Sequence, residues 1–128
     1  MLIDDNKIDN FFHERVIRKS NAADKVIPKQ SAQEALDHLA SAGDTEQPDL
    51  IFLDINMPGM NGWEFLEHYK RGHKGHKAMV VVMLSSAERP DEQALEKTAG
   101  ILSDFRSKPI TSEMLEELTA KYCAATEH

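Results

Sequence analysis

Cysteine is almost absent from this chain. Cys123 is the only one in 128 residues, so no internal disulfide can form, which suits a reducing compartment. No stretch approaches the ~18 consecutive apolar residues of a membrane span. The N-terminus, Met1-Leu2-Ile3-Asp4-Asp5, has neither the basic segment nor the apolar run of a secretory leader. Positive charge is also short: 15 Lys and Arg stand against 22 Asp and Glu, for a formal net charge of −7. Such a chain has no bulk attraction for a phosphate backbone, which argues against direct nucleic acid binding. These deficits together predict a soluble, cytoplasmic chain without a membrane partner.

A hydrophobic fraction of 41% is enough to build a core. The length suits a single domain over 1–128, which can bury roughly two-thirds of its unfolded surface without disulfide or metal staples. Short apolar runs alternate with amphipathic segments, the pattern of βα units around a mostly parallel sheet. Leu50-Ile51-Phe52-Leu53 and Met79-Val80-Val81-Val82-Met83-Leu84 are near-continuous runs, as expected of strands covered on both faces. Leu2-Ile3, Lys25-Val26-Ile27 and the stretch 101–106 are weaker strand candidates. Ile8, Phe12 and Val16, with Phe11, share one helical stripe. Ala35, Leu36 and Leu39 form a second, opened by Ser31 with Glu34 in a capping box. Trp63, Phe65, Leu66 and Tyr69 mark a third helix, and 91–99, between Pro90 and Gly100, a short fourth. Met114, Leu115, Leu118 and Tyr122 share the face of a fifth, with Thr111 as its N-cap.

Sheets of this kind hold ligands at the carboxyl ends of their strands. The first strand candidate is followed by Asp4 and Asp5, the third by Asp54, the fourth by Ser85 and Ser86, and the fifth by Lys108 and Pro109. Three carboxylates at one edge raise each other's pKa unless a cation neutralises them. Mg2+, which binds through one or two carboxylates and waters, resolves that conflict. A hydroxyl and a lysine beside it suit an anion. Together the groups describe a phosphoryl-transfer site.

This constellation resembles the receiver domain of two-component response regulators, of the single-domain chemotaxis type. The resemblance rests on Asp4-Asp5, on the run from Leu50 through Asp54-Ile55-Asn56-Met57-Pro58-Gly59-Met60-Asn61-Gly62, on Val82-Met83-Leu84-Ser85-Ser86, and on Lys108-Pro109. It covers essentially the whole chain. It implies a flavodoxin-like, doubly wound α/β fold, (βα)5, with a five-stranded parallel sheet in the order 2-1-3-4-5. It also implies roles. Asp54 is the phosphoacceptor, loaded from a phosphohistidine of a sensor histidine kinase or phosphotransfer protein. Asp5 is a direct Mg2+ ligand, Asp4 acts largely through water, and the backbone carbonyl of Asn56 is a third protein ligand. Ser85 binds the phosphoryl group, Lys108 offsets its charge, and Phe105 is the aromatic switch that turns inward when Ser85 moves. The protein is then a signalling phosphoacceptor rather than an enzyme with an external substrate. Its output is contact with a downstream protein target, through a face near Ala94-Leu95, Phe105-Arg106 and 114–118.

Each of these residues also has an ordinary role open to it. An Asp pair before a helix is usually a cap. Serines after strands commonly satisfy backbone groups. Phe105 reads as a core aromatic, and Lys108 as a solvated loop residue. Their recurrence at successive strand ends is what those roles do not explain. His73 and His76 have metal-like spacing without an obvious third ligand. One feature does not fit the family pattern. Only Met1-Leu2-Ile3 precede the acidic pair, although the first strand belongs at the centre of the sheet and a typical strand has ~5–6 residues. Either upstream residues are missing or the strand is truncated, and apolar residues added upstream should raise the melting temperature. Two other functions compete with the receiver: a Mg2+-dependent phosphohydrolase and a pseudo-receiver that only binds partners. Hydrolases of the haloacid dehalogenase type carry a second Asp two residues after the nucleophile, where this chain has Asn56. The intact Asp4, Asp5, Asp54 and Lys108 weigh against the pseudo-receiver.

Overall fold

The computed structural model describes residues 1–20, 25–41, 48, 50–55, 57, 59–72, 79–84, 96 and 102–126. Their elements run β1 (Leu2–Ile3), α1 (Lys7–Lys19), β2 (Pro28–Lys29), α2 (Ala32–Ser41), β3 (Leu50–Asp54), α3 (Gly62–Gly72), β4 (Met79–Leu84), β5 (Leu102–Ser107) and α4 (Ser112–Thr126). The helix expected over 91–99 lies outside the described residues, apart from helical Glu96. So do His73, His76 and the Ala94-Leu95 portion of the expected output face.

All five strands are parallel, in the order β2-β1-β3-β4-β5. Side chains alternate across a strand, so consecutive residues of β3 serve opposite layers. Ile51 and Leu53, with Val80 and Val82 of β4, pack against Ala35 and Leu39 of α2 and Phe65, Leu66 and Tyr69 of α3. Phe52, with Val81 and Met83, packs against Ile17 of α1 and Leu115 and Leu118 of α4. This is why both runs are apolar at every position. Each fully buried Leu, Ile or Phe contributes ~1.5–3 kcal/mol of transfer free energy.

β1 divides in the same way, with Leu2 facing one layer and Ile3 the other. It is short but well tied. Leu2 N–H donates to Ile27 O at 2.9 Å, Asp4 N–H to Lys29 O at 3.0 Å, and Phe52 N–H to Met1 O at 2.9 Å. The ladder therefore extends one residue beyond the strand at each end. β2 sits at Pro28–Lys29 rather than at Lys25-Val26-Ile27. It is an edge strand, where a proline costs no ladder bond on its open side.

The inward face of α1 also departs from expectation. Ile8, Phe11 and Phe12 are 65%, 63% and 55% exposed, whereas Asn10, His13 and Ile17 are buried. Asn10 ties this face of the helix to the sheet. Its Nδ2 donates to the carbonyls of Asp4 at 2.9 Å and Lys29 at 3.2 Å, at the carboxyl ends of β1 and β2. The Asp4 carbonyl gains a buried donor from Asn10, and the Lys29 carbonyl, already bonded to Asp4 N–H, gains a second. In α4, Leu115 and Leu118 are core residues, so they do not belong to an exposed output face. Thr111 caps that helix, accepting from Met114 N–H at 3.1 Å.

Candidate functional site

Register places the acids. Ile3 pairs with Leu53, so the next residues, Asp4 and Asp54, leave the sheet side by side. β5 ends at Ser107, paired with Leu84, and delivers Lys108 to the same edge. One carboxylate oxygen each from Asp4, Asp5 and Asp54 lie within 4.8 Å of one another. Asp4 and Asp54 are buried, and Asp5 is exposed.

The turn after Asp54 is built by its glycines. Gly59 adopts φ +78°, a left-handed conformation that suits glycine. Gly62 returns beneath the strand end, with its N–H on Ile55 O at 2.9 Å. A Cβ there would stand 2.8 Å from Asp54 O and from Ile55 Cα. Asn61 then opens α3, accepting from Glu64 N–H at 2.9 Å while its own N–H donates to Glu64 Oε1 at 3.3 Å, a reciprocal capping box. On the opposite side, Asn6 opens α1, its Oδ1 accepting from Ile8 and Asp9 N–H at 2.9 and 3.2 Å.

Lys108 stands among the acids. Its Nζ lies 2.7 Å from Asp4 Oδ2, 3.1 Å from Asp9 Oδ2 and 3.6 Å from Asp54 Oδ1. Burial alone would lower its pKa. The hydrogen bond and charge of Asp4, the charge of Asp54 and the bond to Asp9 overcome that and raise it, so it stays an ammonium. His13 behaves in the opposite way. Burial lowers its pKa and Lys108 adds to the effect, against Asp9 and Asp4.

Among the described residues, one ammonium against the carboxylates of Asp4, Asp5, Asp9 and Asp54 leaves this edge net negative. An all-oxygen donor set at this spacing fits a hard divalent cation, which takes carboxylates and fills its remaining positions with water. Asp4, Asp5, Asp54 and Lys108 are thus brought together. Asn56 and Ser85 lie outside the described residues. Phe105, three residues before Lys108, is 42% exposed, so it is not the core aromatic that its strand position first suggests. Asp9 was missed from sequence. As an acid in the first turn of a helix it reads as a cap or dipole partner.

The response regulator receiver domain family matches residues 1–120. The chain is 33% identical over 119 residues to the two-component response regulator ARR5 of Arabidopsis thaliana, covering 86% of this chain and 62% of that protein. Its similarity to ARR17 of the same plant is 32% over 127 residues, covering 92% of this chain and 80% of that one. Among solved structures, a two-component response regulator from Cytophaga hutchinsonii superposes with a TM-score of 0.84 at 31% identity, covering 96% of this chain and 94% of that one. A response regulator receiver protein from Dyadobacter fermentans gives 0.77 at 30% identity, covering 95% and 94%. The flavodoxin-like fold with sheet order 2-1-3-4-5 agrees with these neighbours. The chain spans somewhat under two-thirds of the length of ARR5. Among the described residues, no helix is long and apolar enough to cross a membrane.

Proposed function

This chain belongs to the response regulator receiver domain family, and from that premise we propose that it is a phosphoacceptor signalling module acting through Asp54. The unit responsible is the whole stretch 1–128, in the cytoplasm. The donor is a phosphohistidine on a sensor histidine kinase or phosphotransfer protein. The P–N bond breaks as a bond forms between phosphorus and a carboxylate oxygen of Asp54, and the imidazole leaves with the bonding pair. A carboxylate is already a nucleophile at neutral pH, so no general base is required.

Asp5, Asp54 and the Asn56 carbonyl would hold Mg2+ directly, and Asp4 largely through water. When bound, the cation offsets charge on the carboxylates and on the transferring oxygens. Lys108 supplies the protein's own positive charge to the product, and Ser85 a hydroxyl. Movement of Ser85 draws Phe105 inward from its half-exposed position and changes the surface read by a downstream protein. The role is that of a signalling switch and not of an enzyme with an external substrate.

The observation that supports this reading is the position of Lys108 Nζ, 3.6 Å from Asp54 Oδ1 beside three carboxylates clustered within 4.8 Å. The test is a phosphate-affinity gel after incubation with acetyl phosphate and Mg2+. One shifted band is expected, absent in Asp54→Asn and in the presence of chelator. A band that persists in Asp54→Asn refutes the assignment.

A further inference from the structure

The Lys108 ammonium has three N–H donors, and its short contacts are to Asp4 and Asp9 rather than to Asp54. Asp4 Oδ2 at 2.7 Å and Asp9 Oδ2 at 3.1 Å are within hydrogen-bonding range, whereas Asp54 Oδ1 at 3.6 Å is an ion-pair neighbour only. Asp9 is free to make this contact because of how α1 begins. An acid at the third helical position usually reaches back to the N-cap N–H. Here the Asn6 N–H already donates to Asp4 Oδ1 at 3.0 Å, so the Asp9 carboxylate turns to Lys108 instead.

Asp9 differs from the other two carboxylates around Lys108. Asp4 and Asp54 belong to the acidic cluster that fits a cation, and Asp9 does not. A cation at the cluster would weaken the hold of Asp4 and Asp54 on Lys108 by sharing their charge. It leaves Asp9 as the carboxylate still drawing the ammonium toward α1. We propose that Asp9 is a positioning residue that holds Lys108 off Asp54 and competes with a phosphoryl group there for the ammonium. The inference rests on the phosphoacceptor reading. It adds a restraint located on α1, so that capture of the phosphoryl group requires Lys108 to leave Asp9.

The test is a titration with beryllofluoride, a phosphoryl mimic, at saturating Mg2+, followed by amide shifts in 1H–15N spectra. Asp9→Asn should bind it about two- to fivefold more tightly than wild type, the size expected for release of a partly exposed ion pair. Asp9→Ser should do the same, which covers failure of the first variant to fold. Asp9→Glu, which retains the charge, should stay with the wild type. A merely structural role at the helix start would change the melting temperature and leave these affinities together. Unchanged or weaker binding in the neutral variants overturns the inference while the phosphoacceptor reading stands. No beryllofluoride uptake by the wild type overturns both.

Discussion

Gly62 is where the turn that carries Asp54 can be tested most sharply, because two opposing effects meet there. Gly62 is the first residue of α3, and alanine in a helix gains up to ~1 kcal/mol over glycine. Its added Cβ, however, would stand 2.8 Å from Asp54 O and 2.8 Å from Ile55 Cα. Both are backbone atoms, so the contact cannot be relieved by turning a side chain. Overpacking of this kind costs about 1–3 kcal/mol. The net for Gly62→Ala is then a loss of roughly 0.5–2 kcal/mol, taking the clash as the larger effect. With an unfolding entropy of about 2.1 cal/mol/K per residue, that lowers the melting temperature by roughly 2–8 °C. Relief of the clash also displaces the Asp54 backbone, so phosphorylation by acetyl phosphate should slow. Gly59 supplies the control. It has nothing within 4 Å of a built Cβ and a φ of +78°, so asparagine, which tolerates that conformation, should leave Gly59→Asn near wild type in both assays. Differential scanning calorimetry and phosphate-affinity gels read the two variants together. A Gly62→Ala protein that melts at or above the wild-type temperature would refute the account of this turn.

Asn10→Leu should destabilise the fold by about 1–3 kcal/mol in urea denaturation, since it removes the side-chain donor from the buried carbonyl of Asp4, while the Lys29 carbonyl keeps its bond from Asp4 N–H. Unchanged stability would mean that apolar burial, not those bonds, sets the phase of α1. His13 should give the protein an acid-sensitive component. Its folded pKa is lowered from 6.5, chiefly by burial, so the stability it contributes is complete above pH 6.5 and is lost as the pH falls below it. His13→Leu should flatten the decline in melting temperature between about pH 7 and pH 5; an unchanged slope places the acid sensitivity elsewhere.

Much of this architecture can be read in the sequence because parallel strands buried on two faces have little freedom of composition. Residues 50–53 and Met79–Leu84 are apolar at consecutive positions, while charge stands at or just beyond the ends of β1, β3 and β5, at Asp4, Asp54 and Lys108. Asp4, Asp5, Asp54 and Lys108 were therefore visible as a group, since strand ends in one sheet meet at one edge. The helical phase of α1 was not visible. Ile8, Phe11 and Phe12 make a persuasive apolar stripe, and a side-chain amide bonded to two sheet carbonyls leaves no periodic trace. Asp9 was hidden differently, since an acid in a first helical turn has an ordinary role with the helix dipole. The two-residue β2 gave too little pattern to outweigh Lys25-Val26-Ile27, and its position follows from the ladder to Leu2 and Asp4.

The central claim is that phosphoryl is carried by Asp54 and by no other acid of the cluster. Borohydride trapping tests it most directly, because it reduces an acyl phosphate to an alcohol and marks the modified aspartate as homoserine. After reaction with acetyl phosphate and Mg2+, tandem mass spectrometry should find homoserine at residue 54 alone. Homoserine at Asp4, Asp5 or Asp9, with residue 54 unmodified, would contradict the account.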